Sequence, residues 1–249
     1  MTPDLLTLLA ALGFCFATMV VFRVRHDSSS GDPLESTQRG TFVLGDFVRA
    51  WFLWFIGPAV RLALKAGLSP LFFNLAGAVL GALAGVAFAM GNPVLGGWLV
   101  FAGGSADVFD GRVARSLGIA SPKGAFLDSS LDRFAEVGMF AGLAVFFHTR
   151  PLVSMMVALA LGGSLLVSYT RARGESQGIT CKVGVMQRAE RLLLVGFAGI
   201  LDPSVALWTD QPPGTLLTLA VAVIAIGTVA TAIYRTIWIA KRLPSSEES

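Results

Sequence analysis

Apolar segments of about twenty residues recur along this chain and restrict what it can fold into. A helix needs about 20 mostly apolar residues to cross a bilayer. The chain is 54% hydrophobic and only 14% charged, whereas a typical soluble domain carries about 25% charged residues. The sequence therefore predicts an all-α, polytopic membrane protein with a six-helix transmembrane core. The predicted spans are 71–90, 94–111, 125–147, 152–172, 190–207 and 215–240.

Two further segments precede this core. The apolar run Leu5–Val24 has an acidic residue before it and arginines after it. This order is the reverse of that in a cleaved signal peptide, so we predict an extra N-terminal transmembrane helix. Segment 41–65 mixes charged residues with tryptophan and phenylalanine around a Gly-Pro pair. This mixture is typical of a bent amphipathic helix at the membrane surface, and a membrane span is the alternative.

The composition shifts divide the chain into three parts. We interpret residues 1–40 as the N-terminal helix with a flexible, cytosolic loop rich in Ser, Gly and Asp. Residues 41–243 would form one membrane domain, and 244–249 a polar tail.

The two cysteines, Cys15 and Cys181, lie in an apolar and a basic segment respectively, so we expect no disulfide.

The positive charges indicate how the chain crosses the membrane. If the N-terminus lies outside, 16 of the 19 lysine and arginine residues fall on the inner side. Cytoplasmic loops are enriched in these residues, so we expect this orientation, in the plasma (inner) membrane. The inner segments are 23–70, 111–124, 170–191 and 241–249.

The formal net charge is only +3, which makes nucleic acid a poor choice of partner.

Four aspartates stand at helical spacing around the connection between the second and third of the six predicted spans. Asp107 and Asp110 are three residues apart, and Asp128 and Asp132 are four apart; such pairs share one helix face. The short connection should make the two helices antiparallel neighbours, so that all four carboxylates face one volume at the cytosolic side. Carboxylates at a bilayer are costly without a compensating charge, so we expect a cation site here.

The ligand chemistry of such a site is specific. Carboxylate oxygens without histidine or cysteine suit Mg²⁺ or Mn²⁺. Four carboxylates are enough for two ions, an arrangement suited to phosphoryl transfer. Small residues at Gly111, Ala114 and Gly124 leave room for a phosphate or a base to approach. Arg115 adds a planar cation that suits phosphate oxygens.

The stretch from Asp107 to Asp132 reads D-x2-D-G-x2-A-R-x8-G-x3-D-x3-D. It resembles, at every fixed position, the signature of the CDP-alcohol phosphotransferase (phosphatidyltransferase) family. The resemblance covers roughly residues 60–240 and implies a homodimer with a six-span core behind an amphipathic segment. It also implies a reaction in which an alcohol attacks the β-phosphorus of a CDP-alcohol and CMP leaves.

Roles for particular residues follow from this resemblance. Asp107, Asp110 and Asp128 would hold the metal ions. Asp132 would assist metal binding or act as the base on the attacking hydroxyl, since an alcohol needs a proton acceptor. The residues that would line the nucleotide pocket are Gly111, Ala114, Arg115, Gly124 and Asn74.

A second cluster concerns the acceptor. Five arginines lie around one predicted cytosolic opening: Arg171, Arg173, Arg188, Arg191 and Arg235. They could bind a phosphorylated, anionic acceptor through bidentate contacts, or they could be positive-inside anchors that meet lipid phosphates. Arg235 lies within a predicted span, where a cation normally has a partner.

The acceptor arginines stand in a pattern of their own. Ser-Tyr-x-Arg-Ala-Arg-x-Glu begins at Ser168, and Arg-x-Glu-Arg begins at Arg188. Both resemble the phosphatidylinositol-phosphate synthase branch of the family and its archaeal ether-lipid counterpart. The implied donor is CDP-diacylglycerol or a CDP-archaeol-type lipid. The implied acceptor is inositol 1-phosphate, which Arg171, Arg191 and Arg235 would hold.

Other functions remain open on the sequence alone. Glycerol 3-phosphate is another phosphorylated alcohol that would use the arginines, whereas serine would leave the surplus cations unexplained. A divalent-cation or proton transporter could use the four aspartates as a pathway. That reading expects polar residues along one helix face to both membrane sides, and here the polar cluster stays on one side.

Overall fold

A computed structural model describes residues 3–25, 45–181 and 183–243. Within these ranges the chain forms eight α-helices and no strand, which confirms the predicted all-α class. The proposed domain limits, after residues 40 and 243, lie outside or at the edge of the described residues. The helices are α1 (Pro3–Arg25), α2 (Gly45–Lys65), α3 (Pro70–Ala89), α4 (Pro93–Ser116), α5 (Pro122–Phe146), α6 (Pro151–Glu175), α7 (Arg188–Thr209) and α8 (Thr215–Ala240).

Helices α3 to α5 begin where a capping side chain precedes a proline. Ser69, Asn92 and Ser121 each accept a hydrogen bond from the backbone N–H three residues further on. The proline that follows each cap has no N–H to satisfy and a backbone angle that suits the first helical turn. These starts are encoded locally, and they set the positions of the residues of the aspartate motif along α4 and α5.

The core helices agree with the predicted spans to within three residues, except at the end of α4. That span was predicted to end at residue 111, but the helix continues to Ser116. Hydropathy reports where lipid contact ends, whereas a helix continues until the backbone turns away. Here the turn comes at Gly118, whose φ of 66° is readily adopted only by glycine. The motif residues that follow Asp110, as far as Arg115, are therefore helical.

Five of the described helices are long and apolar enough to cross a membrane: α1, α3, α6, α7 and α8. Helices α4 and α5 have 24 and 25 residues, but they carry the charged residues of the motif. Many large apolar side chains are exposed on the outer surface of the bundle, among them Leu75, Val79 and Leu83 on α3. Such a surface requires lipid around it.

The bundle centres on close packing between helix backbones. Helix α3 packs against both α4 and α5, α4 packs on α7, and α8 packs on α6 and α7. Small residues permit these approaches, as is usual between membrane helices. A methyl group added at Gly142 of α5 would overlap the carbonyl group of Gly85 on α3.

The N-terminal helices attach to one side of this bundle. Helix α1 lies against α2 and α7, and the indole N–H of Trp51 donates to the hydroxyl of Thr18 at 3.2 Å. The apolar face of α2 packs around Val113 of α4, while Arg61 and Lys65 stay exposed. This distribution fits the predicted amphipathic helix. Helix α2 is continuous from Gly45 to Lys65, with Pro58 inside it.

Candidate active site

Helices α4 and α5 bring the aspartates together at the ends joined by residues 117–121. The sequence predicted that these two helices pack against each other, but each packs chiefly on α3. Gly77 and Gly81 of α3 lie close to Gly103 and Ala135 respectively. Because α4 and α5 both pack on α3, they approach each other at their joined ends and are held apart along the rest of their length.

Three of the four aspartates form one compact group. Asp107, Asp110 and Asp128 each present a carboxylate oxygen, and these oxygens all lie within 4.8 Å of one another. Asp110 is only 6% exposed, and its Oδ1 accepts the backbone N–H of Gly111. Hard oxygen ligands that converge in this way fit a divalent cation such as Mg²⁺ or Mn²⁺.

The fourth aspartate is held by arginine. The Arg188 guanidinium, at the start of α7, reaches Asp107 Oδ2 with Nη1 at 2.9 Å and Asp132 Oδ1 with Nη2 at 2.7 Å. Asp132 also lies 3.8 Å from Arg133. One planar fork therefore connects the three-carboxylate group to Asp132.

Arg191 is the most buried of the five predicted acceptor arginines. It is 1% exposed. Its Nε and Nη2 donate to Glu136 Oε1 at 2.9 and 2.5 Å, and its Nη1 donates to the carbonyl of Met186 at 3.1 Å. Each of its three nitrogens thus has a protein partner.

Sequence reasoning assigned no site role to Glu136, Arg133 or Ser168. Arg133 Nη1 donates to the Ser168 hydroxyl and lies 3.3 Å from Glu136 Oε2. A signal was present, because Glu136 follows Asp132 by four residues and so lies on the same helix face. The aspartate motif itself ends at Asp132 and therefore does not include Glu136.

Arg235 also has the partners that its position requires. It is 3% exposed, and it donates to the carbonyl of Val183 at 2.7 Å and to that of Val167 at 2.8 Å. The side chain thus ties the segment before α7 to α6. Arg171 and Arg173 differ, since both are exposed. Arg171 pairs with Glu175 at 2.9 Å.

The predicted nucleotide residues lie on α3, α4 and α5, the helices that carry or support the aspartates. Gly111 adjoins the guanidinium of Arg115, and an added Cβ would lie 3.2 Å from it. The N–H of Gly124 is bound to the capping hydroxyl of Ser121. Asn74 of α3 has a buried side-chain oxygen without a hydrogen-bond partner among the described residues. Ala114 is half-buried, and Arg115 is exposed.

Comparison with known proteins identifies the family of this chain. The CDP-alcohol phosphatidyltransferase family model matches residues 68–238. A phosphatidylinositol phosphate synthase of Streptomyces avermitilis is 34% identical over 226 aligned positions, and the match covers 83% of this chain and 89% of that protein. An archaetidylinositol phosphate synthase of Methanothermobacter thermautotrophicus is 37% identical over 190 residues, which are 76% of this chain and 90% of that protein.

Solved structures share the fold. The crystal structure of Mycobacterium tuberculosis phosphatidylinositol phosphate synthase with manganese and citrate is similar, with a TM-score of 0.65 and 26% identity. The match covers 73% of this chain and 87% of the chain in that structure. The same enzyme with CDP-DAG bound also gives a TM-score of 0.65 and 26% identity, over 73% of this chain and 92% of that one. The present chain is an integral, multi-pass membrane enzyme and belongs to the CDP-alcohol phosphatidyltransferase family.

Proposed function

We propose that this enzyme transfers a phosphatidyl or archaetidyl group from a CDP-linked lipid to inositol 1-phosphate, with release of CMP. The observation that carries the proposal is the convergence of Asp107, Asp110 and Asp128 beside the fork of Arg188. The carboxylates suit a cation that binds a pyrophosphate, and the arginine suits an anionic acceptor. Relatives that act on two lipid types are both named as inositol phosphate synthases, which favours this acceptor over glycerol 3-phosphate.

The donor would bind at the three-carboxylate group. Asp107, Asp110 and Asp128 would hold Mg²⁺ or Mn²⁺, and we propose two ions, with Asp132 as a further ligand or as the base. When bound, these ions neutralise the pyrophosphate and the charge that develops on the departing CMP. Gly111 and Ala114 leave space for the cytidine diphosphate, and Gly124, which has no side chain, leaves space at the start of α5. Arg115 offers a cation to the phosphates of the nucleotide. The free oxygen of Asn74 offers an acceptor to the cytosine amino group.

The transfer exchanges one P–O bond for another. The acceptor hydroxyl oxygen bonds to the β-phosphorus, and the bond from that phosphorus to the oxygen bridging it to the α-phosphate breaks. CMP leaves with the electron pair, and Asp132 takes the hydroxyl proton. Arg188 holds the Asp132 carboxylate at 2.7 Å and so fixes its orientation.

The acceptor phosphate would meet the arginines beside Asp132. Arg188 is partly exposed and already faces the carboxylates, so it is the best placed of the five. Arg171 and Arg173 are exposed and could close over the acceptor from α6. Arg191 and Arg235 would support the pocket from the interior of the bundle, since Arg191 is bonded to Glu136 and Arg235 to the carbonyls of Val183 and Val167.

We also propose the setting of the reaction. The basic ends of α4, α6, α7 and α8 would face the cytosol of a cell whose plasma membrane holds the enzyme, with the N-terminus outside. This side supplies water-soluble inositol phosphate and receives CMP. We further propose a homodimer, as the family resemblance implies.

The acceptor is tested by competition. Purified enzyme receives CDP-diacylglycerol, Mn²⁺ or Mg²⁺, and equal amounts of inositol 1-phosphate and glycerol 3-phosphate, and the lipid product is identified by mass spectrometry. We expect the inositol-containing phospholipid, formed together with CMP, and no product once EDTA removes the metal. A product that contains only glycerol phosphate would overturn the acceptor assignment. CMP release that EDTA does not affect would overturn the metal assignment.

The arginine assignments have their own test. We expect Arg191→Ala and Arg235→Ala to raise the KM for inositol phosphate. Removing either guanidinium should raise this KM about tenfold or more, because its contacts with Glu136, or with the carbonyls of Val183 and Val167, would position the pocket. An unchanged KM in both variants would remove these two residues from the acceptor pocket.

A further inference from the structure

Glu136 is a buried carboxylate that the proposed reaction does not use. It lies on α5, one turn beyond Asp132, and is 1% exposed. A buried carboxylate in a membrane enzyme is costly and needs a compensating cation. Its partners therefore indicate what its charge does.

Two guanidinium groups share this one carboxylate. Arg191 donates to Oε1 with both Nε and Nη2, and Arg133 lies 3.3 Å from Oε2. Arg133 also lies 3.8 Å from Asp132. The same arginine is therefore within reach of Glu136 and of Asp132, which we proposed as a further ligand or as the base.

The charges form one continuous chain of contacts. Arg188 contacts both Asp107 and Asp132, and Arg133 lies within 4 Å of both Asp132 and Glu136. Arg191 completes the chain by binding Glu136. Three arginines thus face three carboxylates, and Glu136 is the one carboxylate of the three that stands outside the aspartate motif. Glu136 and Arg188 also line a common cavity of about 20 Å³.

Neutralising Glu136 would leave the buried Arg191 and the partly exposed Arg133 without their shared anion. A buried charge that loses its partner is strongly destabilised and turns to the nearest opposite charge. For Arg133 that charge is Asp132, which it already approaches. An arginine drawn onto Asp132 would compete there with any divalent cation.

We propose that Glu136 is a positioning residue that draws Arg133 and Arg191 away from the aspartates and so keeps those carboxylates available to the divalent cation. The inference rests on the proposed function only in taking the aspartates as cation ligands. It does not depend on which alcohol is the acceptor.

The test measures Mn²⁺ binding without substrate. Wild type and Glu136→Gln are purified in detergent, their thermal unfolding is compared, and free Mn²⁺ is followed by electron paramagnetic resonance during titration. Glutamine keeps the size of the side chain and removes its charge. We expect folded Glu136→Gln to bind Mn²⁺ about tenfold more weakly, the equivalent of one charged hydrogen bond.

The matched control removes one cation as well. Glu136→Gln combined with Arg133→Gln removes the arginine that Asp132 would attract and leaves two arginines for two carboxylates, so Mn²⁺ affinity should return to within about threefold of wild type. A merely structural Glu136 would lower the unfolding temperature without changing the Mn²⁺ affinity of the folded protein. Wild-type Mn²⁺ affinity in folded Glu136→Gln would overturn the proposal, as would a double variant that binds as weakly as Glu136→Gln.

A second variant covers the case in which Glu136→Gln does not fold. Arg191→Gln leaves Glu136 to hold Arg133 alone, so Mn²⁺ affinity should equal or exceed that of wild type. A tenfold fall in folded Arg191→Gln would contradict the proposal. Failure of the proposed function would appear separately, as wild-type enzyme that makes no inositol-containing lipid.

Discussion

The four aspartates of the motif divide into two environments. Asp107, Asp110 and Asp128 face one another, whereas Asp132 is held by the arginines at positions 188 and 133. Identical side chains thus acquire different neighbours within one turn of helix. This division favours metal binding by the first three and leaves Asp132 as a further ligand or as the base.

The buried aspartate of the group should be indispensable. Asp110→Asn removes one ligand charge and should lower the rate of CMP release at least about a hundredfold. Asp210→Asn is the control, because Asp210 caps the far end of α7 with a φ of 52°, which asparagine also adopts. CMP release by the folded, purified variants is the measurement. Equal rates for wild type and Asp110→Asn would contradict the assignment.

The fork of Arg188 should not be replaceable by another cation. Lysine carries a point charge and cannot bridge Asp107 and Asp132 in the fixed geometry of a guanidinium. We expect Arg188→Lys to lower kcat for CMP release about tenfold or more. Arg242→Lys, at the exposed end of α8, should retain wild-type activity. Activity of Arg188→Lys near that of wild type would show that charge alone suffices.

At the scale of elements, close contact between α3 and α5 holds the motif helices. Gly142→Ala places a methyl group against the Gly85 carbonyl, and such overpacking typically costs about 1–3 kcal/mol. Gly162→Ala on α6 meets nothing within 4 Å and should be neutral or slightly stabilising, because alanine favours helix. Thermal unfolding in detergent compares the two variants. A larger loss of stability in Gly162→Ala would contradict this packing.

Another element contact lies at the opposite end of the bundle. Asp202 of α7 is fully buried and accepts the backbone N–H groups of Gly214, Leu216 and Leu217 at 2.6 to 3.2 Å. It therefore caps the start of α8 and gives the acidic group at this end a structural role. The transporter alternative expected polar residues at both sides as parts of one path, and this cap offers no such path.

Loss of that cap should affect stability alone. Asp202→Ala leaves buried N–H groups unpaired and should lower the free energy of unfolding by about 2 kcal/mol. CMP release per folded molecule should stay near wild type, because the aspartate motif lies at the other end. A purified, folded Asp202→Ala enzyme that has lost its CMP release would contradict this separation.

For the whole molecule, the charge distribution predicts orientation. Tags at the N-terminus and in loop 210–213 should be accessible from outside intact cells, and a tag at Gln177 only after permeabilisation. Detection of either outer tag in the cytosol would contradict the charge argument. Retained enzyme activity in each tagged protein is the control for correct insertion.

The sequence by itself determined the helices, the aspartate motif and the family. Apolar length and 3.6-residue spacing are local properties, so they can be read without knowing how the chain packs. Only the tertiary structure decided which charges meet. Arg191 and Glu136 are 55 residues apart in the chain, and their pairing depends on how α5 and α7 are held in the bundle. The sequence predicts Arg191 and Arg235 in an open cytosolic cluster, whereas the packing places both in the interior of the bundle. Buried guanidinium groups need partners, and both arginines find theirs inside the protein.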